Sequence, residues 1–262
     1  MRFAHLGMRV CLADLPSPLL AEAAEAVRMA SKLDGNCVLA VATDVSVLAQ
    51  VEALHDQVLA NFGEVAVLMN NAGTDHGGGP YERIADWRRV LEVNLWGVIN
   101  GTQVFTPGML AQNSSCVIVN TGSKQGITCP PGDTAYNVSK AGVKVLTESL
   151  AHALRNEAGA LVSAHLLIPG STFTGLSNGW PDNKSPGAWT ASQVVDMLVD
   201  GINKGDFYII CPDNDVTRDV DNLRILWAAQ DIIKNRPPLS RWHTDYKEPF
   251  ATFLKAGKNL IM

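Results

Sequence analysis

The 262-residue sequence has no uninterrupted apolar run of the length that a membrane-spanning helix needs. We also expect no secretory signal peptide, because His5, Arg9 and Asp14 interrupt the first apolar stretch. Basic residues are not in excess, since 21 Lys and Arg stand against 26 Asp and Glu and give a net charge of -5. These absences argue against a membrane protein and against nucleic-acid or membrane-surface partners.

The sequence also lacks the residue spacings of a metal site. Its five cysteines are odd in number, are not spaced as metal ligands, and lie in several cases within apolar runs. We therefore interpret them as reduced residues of the core and expect a cytoplasmic protein. His76, His165 and His243 have no partners at ligand spacing, so we predict no bound metal.

Strand-like and helical segments alternate along the chain with little sequence left over. Short apolar runs predict strands at 8–13, 37–42, 65–69, 116–121, 161–168 and 207–211. Longer helical patterns predict helices at 19–32, 47–61, 84–110, 135–158, 191–203 and 216–234. Alternation of this kind requires crossover connections, which predict an α/β fold with a mostly parallel sheet covered by helices on both faces. Ligands of such sheets bind beyond the carboxyl ends of the strands.

The segment TAYNVSKAG places Tyr136 and Lys140 four residues apart, on one face of a predicted helix. A phenol with a pKa of ~10 is a poor acid or base at neutral pH, and a nearby ammonium would lower that pKa. Ser123 lies earlier in the chain, just past a predicted strand, where its hydroxyl could hydrogen-bond a substrate oxygen. Considered without the rest of the sequence, Tyr136 and Lys140 could be surface residues of an amphipathic helix. Ser123 could likewise be an ordinary turn residue.

Short motifs follow one another at the ends of predicted strands or on predicted helices: NNAG (70–73), VNLWG (93–97), NTGS (120–123), YNVSK (136–140) and PGSTFT (169–174). In this order and spacing, the chain resembles the short-chain dehydrogenase/reductase family from residue 1 to beyond residue 210. The resemblance implies a Rossmann-like, doubly wound fold and a single domain over 1–262. It further implies a substrate lid at 175–190 and a C-terminal extension at 235–262.

The resemblance assigns catalytic roles to four residues. Tyr136 would give or take the substrate proton, while Lys140 would lower the pKa of Tyr136 and hold the nicotinamide ribose. Ser123 would orient the substrate oxygen, and Asn94 would support a water relay behind Lys140. Asn is unfavourable inside a helix, so a local kink with a bound water would give Asn94 a purpose. The alternative is a buried residue that satisfies nearby backbone groups.

The resemblance also assigns cofactor contacts, to Asp14, Asp44, Val45, Asn71, Ala72, Gly73, Tyr136, Lys140, Pro169, Gly170, Thr172 and Thr174. Asp14 would accept hydrogen bonds from the adenosine ribose, and its charge would repel a 2′-phosphate, so NAD is favoured over NADP. Alternatively, Asp14 caps a turn before Pro16. Asp44 is assigned to the adenine amino group but could equally cap a helix. Thr172 stands where the family usually has Ile or Val.

The resemblance implies a small alcohol or ketone as the substrate and a homodimer or homotetramer as the assembly. The aromatic residues of the lid and the C-terminal extension are Trp180, Trp189, Trp242, Tyr246 and Phe250. They suit an apolar or ring-shaped substrate, although they could equally be packing residues. The extension would fold over the pocket or over a neighbouring subunit.

The chain opens on residues 2–6 with the composition of a helix end, and Gly7 lies where a helix C-cap is common. In the resembled family a first strand and a glycine-rich turn precede that helix, and the turn binds the cofactor pyrophosphate. We expect this piece, roughly 15–20 residues long, to be missing between the strands that end at Asp14 and Asn70. Either the sequence is an incomplete form of an ordinary dehydrogenase, or it is a divergent member without a redox cofactor, acting as a non-redox enzyme or an interaction subunit.

Overall fold

The structure, a computed structural model, describes residues 1–176 and 184–257. Its helices are α1 Arg2–His5, α2 Pro18–Ala30, α3 Leu48–Phe62, α4 Ile84–Leu91, α5 Gly97–Ala111, α6 Gln125–Thr128, α7 Thr134–Asn156, α8 Ala191–Lys204, α9 Arg218–Ile233 and α10 Lys247–Ala256. Its strands are β1 Val10–Asp14, β2 Val38–Ala42, β3 Val67–Asn70, β4 Cys116–Thr121, β5 Val162–Ile168, β6 Thr172–Phe173, β7 Trp189–Thr190 and β8 Tyr208–Ile210. Short 3-10 helices occupy Ser240–Trp242 and Thr244–Tyr246.

The predicted strands and helices are all confirmed, with ends that shift by no more than two residues. The first helix, α1, is followed by Gly7, whose φ of 84° is the left-handed conformation common after a helix. The predicted helix at 84–110 is interrupted by a π-helical turn at Glu92–Trp96, between α4 and α5. The sequence did not predict α6 and α10.

The chain divides into two compact units. The first unit comprises Met1–Ala72, Trp96–Val119 and Leu150–Ala164, and the second comprises Gly73–Leu95, Asn120–Ser149 and His165–Met262. The strands form sheets with the orders β1-β2, β3-β4-β5-β8 and β6-β7. β1 pairs in parallel with β2, and β5 with β8, as crossover connections require. That the whole chain forms a single domain stays a prediction.

In the first unit, helices cover both faces of β1 and β2. Successive side chains of a strand point to opposite faces, and β1 follows this rule. Val10 and Leu12 pack in a cluster with buried residues of α1 and α2. Cys11 and Ala13 pack against a larger cluster that contains buried residues of α3 and α5. The first unit therefore has the helix–strand–helix layering that the alternation predicted.

β1 and β3 both lie in the first unit, yet they belong to different sheets. Among the described residues, no strand pairs with β1 other than β2. The residues of β3 are all half-buried, whereas most residues of β4 are buried. That a strand is missing between those that end at Asp14 and Asn70 stays a prediction.

In the C-terminal part of the second unit, a buried polar cluster holds the chain against α9. The carboxylate of Asp231 accepts the N–H of Ser240 at 3.1 Å, its hydroxyl at 2.6 Å, and Nε of Arg236 at 2.8 Å. Trp227 donates from Nε1 to the Ser240 hydroxyl at 2.8 Å. The described part of the C-terminal extension therefore packs on its own chain, and cover over a pocket or a neighbouring subunit stays a prediction.

All five cysteines are free, and Cys37, Cys116 and Cys211 are buried, as expected for core residues. No helix within residues 1–176 and 184–257 is long and apolar enough to cross a bilayer. Over the same residues, no three His, Cys, Asp or Glu side chains are grouped as metal ligands.

Candidate active site

Tyr136 and Lys140 lie one turn apart near the start of α7, as the sequence predicted. The position of this helix end is fixed by Asp133, whose carboxylate accepts the N–H of Tyr136 at 3.2 Å. The same carboxylate accepts the N–H of Gly77 at 3.1 Å. Asp133 therefore ties the loop after β3 to the helix that carries the phenol.

Lys140 is buried, with 4% of its surface exposed. Its Nζ donates to the carbonyl oxygen of Thr121, at the end of β4, over 2.8 Å. No carboxylate of the described residues forms an ion pair with it. Burial without a counter-charge lowers the pKa of Lys140 to about 8. An ammonium has three hydrogens, so two remain for the hydroxyl groups of a ligand.

The hydroxyl of Ser123 lies near the phenol of Tyr136 and acts on its pKa. Burial raises the pKa of Tyr136 above its usual value, and the hydroxyl of Ser123 lowers it by less. The charges of Asp75 and Asp133 raise it further. The net shift of this pKa is therefore upward, and a lowering contribution from Lys140 stays a prediction. The lysine Nζ lies 5.7 Å from the centre of the Tyr136 ring, and burial of the phenol dominates.

Ser123 lies in the turn between β4 and α6. Its Oγ accepts the N–H of Gln125 at 3.2 Å, which fixes the side chain within its own turn. The next residue, Lys124, donates its N–H to the carbonyl oxygen of Pro169 at 3.4 Å. The Ser123 turn is thus attached to the segment that follows β5, and its hydroxyl is held against the phenol of Tyr136.

Asn94 is fully buried in the π-helical turn that interrupts the predicted helix. Its Oδ1 accepts the N–H of Thr74 at 2.7 Å, and its Nδ2 donates to the carbonyl oxygen of Thr74 at 2.8 Å. Nδ2 also donates to the Ser139 hydroxyl at 3.1 Å, and Ser139 donates to the carbonyl oxygen of Tyr136 at 2.7 Å. These contacts match the alternative interpretation, a buried residue that satisfies backbone groups. The water relay stays a prediction.

The second unit therefore brings the four predicted catalytic residues together. Sequence reasoning missed Thr121, Ser139 and Asp133, which hold Lys140, Asn94 and the start of α7. Thr121 and Ser139 stand inside the motifs NTGS and YNVSK, beside residues that were singled out. Asp133 lies two residues before the predicted helix, close to where a capping carboxylate is common, so this position could have been found.

The first unit holds five of the residues predicted to bind the cofactor: Asp14, Asp44, Val45, Asn71 and Ala72. They follow the carboxyl ends of β1, β2 and β3, where ligands of parallel sheets bind. Asp14 is exposed, and its Oδ1 accepts the N–H of Leu15 at 2.7 Å. This bond agrees with the alternative of a turn cap, and it leaves acceptor positions of the carboxylate for ribose hydroxyls.

Asp44 and Val45 have structural partners of their own. Oδ1 of Asp44 accepts the N–H of Ser46 at 3.0 Å and its hydroxyl at 2.6 Å. The alternative that Asp44 caps a helix is wrong, because the N-cap of α3 is Val47. The carbonyl oxygen of Val45 accepts Nδ2 of Asn100 at 2.9 Å. The predicted cofactor contacts of both residues stay predictions.

The second unit holds the other residues predicted to bind the cofactor: Gly73, Pro169, Gly170, Thr172 and Thr174, besides Tyr136 and Lys140. Of these, Gly73 belongs to the turn predicted to approach adenosine, and Thr172 and Thr174 are predicted to contact the nicotinamide. The Thr172 hydroxyl donates to the carbonyl oxygen of Gly170 at 3.2 Å, so this side chain braces the turn after β5. In the lid, Trp189 lies in β7, which pairs with β6. Trp180 lies outside the described residues.

The donor set of the site fits a nicotinamide nucleotide. Lys140 offers two N–H groups beyond its bond to Thr121, and these suit the neighbouring hydroxyls of a ribose. The paired hydroxyls of Tyr136 and Ser123 suit a carbonyl or alcohol oxygen. In the first unit, taken by itself, the exposed carboxylate of Asp14 could accept hydrogen bonds from ribose hydroxyls.

The sequence model of the family described as short chain dehydrogenase matches residues 1–185. A solved short-chain dehydrogenase/reductase of Burkholderia phymatum, in complex with NAD, has a TM-score of 0.79 and 35% identity, with 90% of this chain and 89% of that chain covered. Meso-2,3-butanediol dehydrogenase of Serratia marcescens is 34% identical over 182 residues, which are 69% of this chain and 68% of that protein. SadH of Mycobacterium tuberculosis is 36% identical over 143 residues, 54% of this chain, and the match spans 50% of its length. The predicted Rossmann-like α/β fold is thereby confirmed.

Proposed function

Because the chain belongs to the short-chain dehydrogenase family, we propose that it is an oxidoreductase that moves hydride between a nicotinamide cofactor and an alcohol or carbonyl group. One observation carries the proposal. The Ser123 hydroxyl lies near enough to the phenol of Tyr136 to lower its pKa, and the buried ammonium of Lys140 lies one helical turn from that phenol. This arrangement places a proton donor, an orienting hydroxyl and a fixed cation in one site.

Each residue has a separate task in this proposal. The nicotinamide cofactor, when bound, supplies or accepts the hydride. Tyr136 gives its proton to the substrate oxygen during reduction and takes it back during oxidation. Ser123 donates a hydrogen bond to the same oxygen and so orients it. Lys140 holds ribose hydroxyls with the N–H groups that Thr121 does not use.

The protonation state of Tyr136 favours carbonyl reduction. Because burial raises its pKa, the phenol keeps its proton at neutral pH and is ready to donate it. Oxidation of an alcohol needs the phenolate first, which burial and the charges of Asp75 and Asp133 oppose. The site is therefore set for reduction near neutral pH, and for oxidation only in more alkaline solution.

The proposed cofactor is NAD rather than NADP. A carboxylate at Asp14 would lie against the adenosine ribose, where the 2′-phosphate of NADP would meet its negative charge. The substrate is a small alcohol or ketone, and the free cysteines support a reducing compartment, the cytoplasm. Exposed apolar residues of α7, Val138 at 44% and Val145 at 59% exposure, support a homodimer or homotetramer.

The test is turnover of NAD(H) and NADP(H), followed by nicotinamide absorbance, with a panel of small alcohols and ketones. The wild-type chain should turn over at least one member of the panel. Tyr136→Phe should lose at least about 100-fold of that rate, in line with the removal of a general acid, and keep the wild-type circular dichroism spectrum. Undiminished turnover by the phenylalanine variant would show that the phenol is not the acid. A folded chain that gives no calorimetric signal with NAD(H) would support the alternative, a protein without a redox cofactor.

A further inference from the structure

Lys124, the residue after Ser123, buries its ammonium between two carboxylates of the second unit. Its Nζ lies 2.6 Å from Oδ2 of Asp221 and 3.2 Å from Oδ2 of Asp213. The side chains are 16% exposed for Lys124, 14% for Asp213 and 6% for Asp221. Buried ion pairs contribute little net stability, because desolvation opposes the attraction between the charges. Stability alone therefore does not account for this arrangement.

The two carboxylates belong to segments far from Ser123 in the sequence. Asp213 follows β8, and a backbone hydrogen bond from Ser171 reaches it. Its carboxylate also lies so close to Gly170 that a Cβ at that position would overlap it. Lys124 thus connects the Ser123 turn to the turn after β5 by way of Asp213.

Asp221 lies in the first turn of α9, so the same ammonium also connects the Ser123 turn to that helix. On the same helix, Nη1 of Arg224 lies 3.7 Å from Oδ1 of Asp221. A cavity of about 40 Å³ adjoins these charges, and Arg241 of the C-terminal extension also lines it. The cation at Lys124 therefore joins the Ser123 turn to α9, beside a cavity that the C-terminal extension also lines.

We infer that Lys124 is a positioning residue that holds the Ser123 hydroxyl in place through its ion pairs with Asp213 and Asp221. Lys124 touches neither substrate nor cofactor in this role, which rests on the proposed function for its catalytic consequence. With the ammonium removed, the turn keeps its backbone bond from Lys124 to Pro169 but loses its side-chain attachment. A displacement of the hydroxyl by about 1 Å costs on the order of 100-fold in rate.

The first arm of the test is a double-mutant cycle on carbonyl reduction. Lys124→Met should lower kcat by about 10- to 100-fold in the wild-type background. In the Ser123→Ala background the same substitution should cost less than about threefold, because the group that it positions is gone. An equal loss in both backgrounds would overturn the inference. Lys144→Met is the matched control, since it removes a lysine–carboxylate pair with Glu148 in the same unit and should leave kcat unchanged.

The second arm needs no activity and stays informative if the proposed function fails. Amide hydrogen exchange of residues 122–128 should become faster in Lys124→Met, while exchange in the first turns of α7 stays as in the wild type. Lys144→Met should leave 122–128 unchanged. Unaltered exchange at 122–128 in Lys124→Met would overturn the inference whatever the chemistry of the site.

Lys124→Met leaves two buried carboxylates without their cation and could prevent folding. Lys124→Met combined with Asp213→Asn removes one of these charges and keeps Asp221 beside Arg224. The double variant should fold and still show the fast exchange at 122–128, because the attachment of the turn is lost. A folded double variant with wild-type exchange and wild-type kcat would refute a positioning role for Lys124.

Discussion

Gly126 lies directly against the backbone of Lys140. A Cβ built on Gly126 would lie 2.5 Å from the carbonyl carbon of Lys140 and 2.6 Å from its oxygen, closer than atoms can approach. The glycine is also buried, in α6. The helix that carries the phenol and the ammonium can therefore approach the Ser123 turn only because this residue has no side chain.

Gly126→Ala should separate the Ser123 turn from α7. We expect at least a tenfold loss of carbonyl reduction and a loss of about 1–3 kcal/mol in the free energy of unfolding, because the methyl group overpacks a rigid contact. Gly108→Ala in α5 is the control: its Cβ meets only an ordinary contact with His55 at 3.4 Å, and the helix should gain up to about 1 kcal/mol. Urea unfolding and kinetics on both variants check this. Full activity of Gly126→Ala would show that the contact does not set the position of the turn.

The rate of carbonyl reduction should stay constant through neutral pH and fall only in strongly alkaline solution. Tyr136 acts as the proton donor, and burial raises its pKa above the usual ~10, so the donor is lost only beyond that pH. Alcohol oxidation should show the opposite trend and rise with pH. Initial rates between about pH 6 and pH 11, at saturating cofactor, measure the pH dependence of both carbonyl reduction and alcohol oxidation. Loss of a proton from Lys140 could change the rate near pH 8, so the comparison is made with Lys140→Met. A fall in the reduction rate below pH 8 that persists in Lys140→Met would contradict the raised pKa of Tyr136.

Lys140 should destabilise the folded chain at neutral pH. Its pKa is lowered from 10.5 to about 8 in the fold, so below pH 8 the buried charge is present and its full cost applies. As pH rises from 8 towards 10.5, the folded chain releases this proton before the unfolded chain does, and stability increases. The cost corresponds to about 3 kcal/mol.

Lys140→Met should remove this pH dependence. The difference in unfolding free energy between the wild type and Lys140→Met should change by about 3 kcal/mol in favour of the wild type between pH 7 and pH 10.5. Lys144→Met, whose ammonium is partly exposed, should show a flat difference over the same range. Urea titrations at a series of pH values give these differences. Parallel curves for the wild type and Lys140→Met would contradict the burial of an uncompensated charge.

Asp14 should decide the choice of nucleotide. We expect kcat/KM with NAD to exceed that with NADP, and Asp14→Ser to narrow this ratio by about tenfold or more, because a negative charge next to the 2′-phosphate is removed. Asp34→Ser, another exposed carboxylate of the first unit, should leave the ratio unchanged. Steady-state kinetics with both cofactors measure the ratio of kcat/KM with NAD to kcat/KM with NADP for each variant. A wild-type preference for NADP would refute the role assigned to Asp14.

Asp231→Asn should release the C-terminal extension from α9. The carboxylate accepts bonds from Ser240 and Arg236, and the amide cannot accept all of them, so Arg236 loses a partly buried counter-charge. We expect a loss of about 3 kcal/mol in unfolding free energy. Asp245→Asn, at an exposed carboxylate, should stay within about 0.5 kcal/mol of the wild type. Equal stability of the two variants in urea would show that the cluster does not hold the extension.

Local patterns predicted much of the fold and the centre of the site. Hydrophobic periodicity located the strands, and the four-residue spacing of Tyr136 and Lys140 placed both on one face of α7. The poor helix propensity of asparagine indicated the kink at Asn94. These features depend on neighbours in the sequence, and therefore leave a signal in it.

Features that depend on burial or on distant partners left no such signal. The raised pKa of Tyr136 comes from burial of its phenol, which spacing does not report. Lys124 and Asp221 are unremarkable charged residues until the fold brings α9 to the Ser123 turn. The α10 helix and the Asp231 cluster were missed because their stability comes from packing on α9 rather than from a strong local pattern.

The ion pairs of Lys124 also set when the site can be completed during synthesis. The two ends of the Lys124–Asp213 bond are 89 residues apart, whereas Asn94 and Ser139 are 45 apart. Because the chain is synthesised from its N-terminus, Asn94, Tyr136 and Lys140 are all present, and can come together, well before the residues of α9 are made. The closing of the longer loop also costs more chain entropy. During synthesis, Lys124 of the Ser123 turn can form its two ion pairs only after Asp213 and Asp221 have been made.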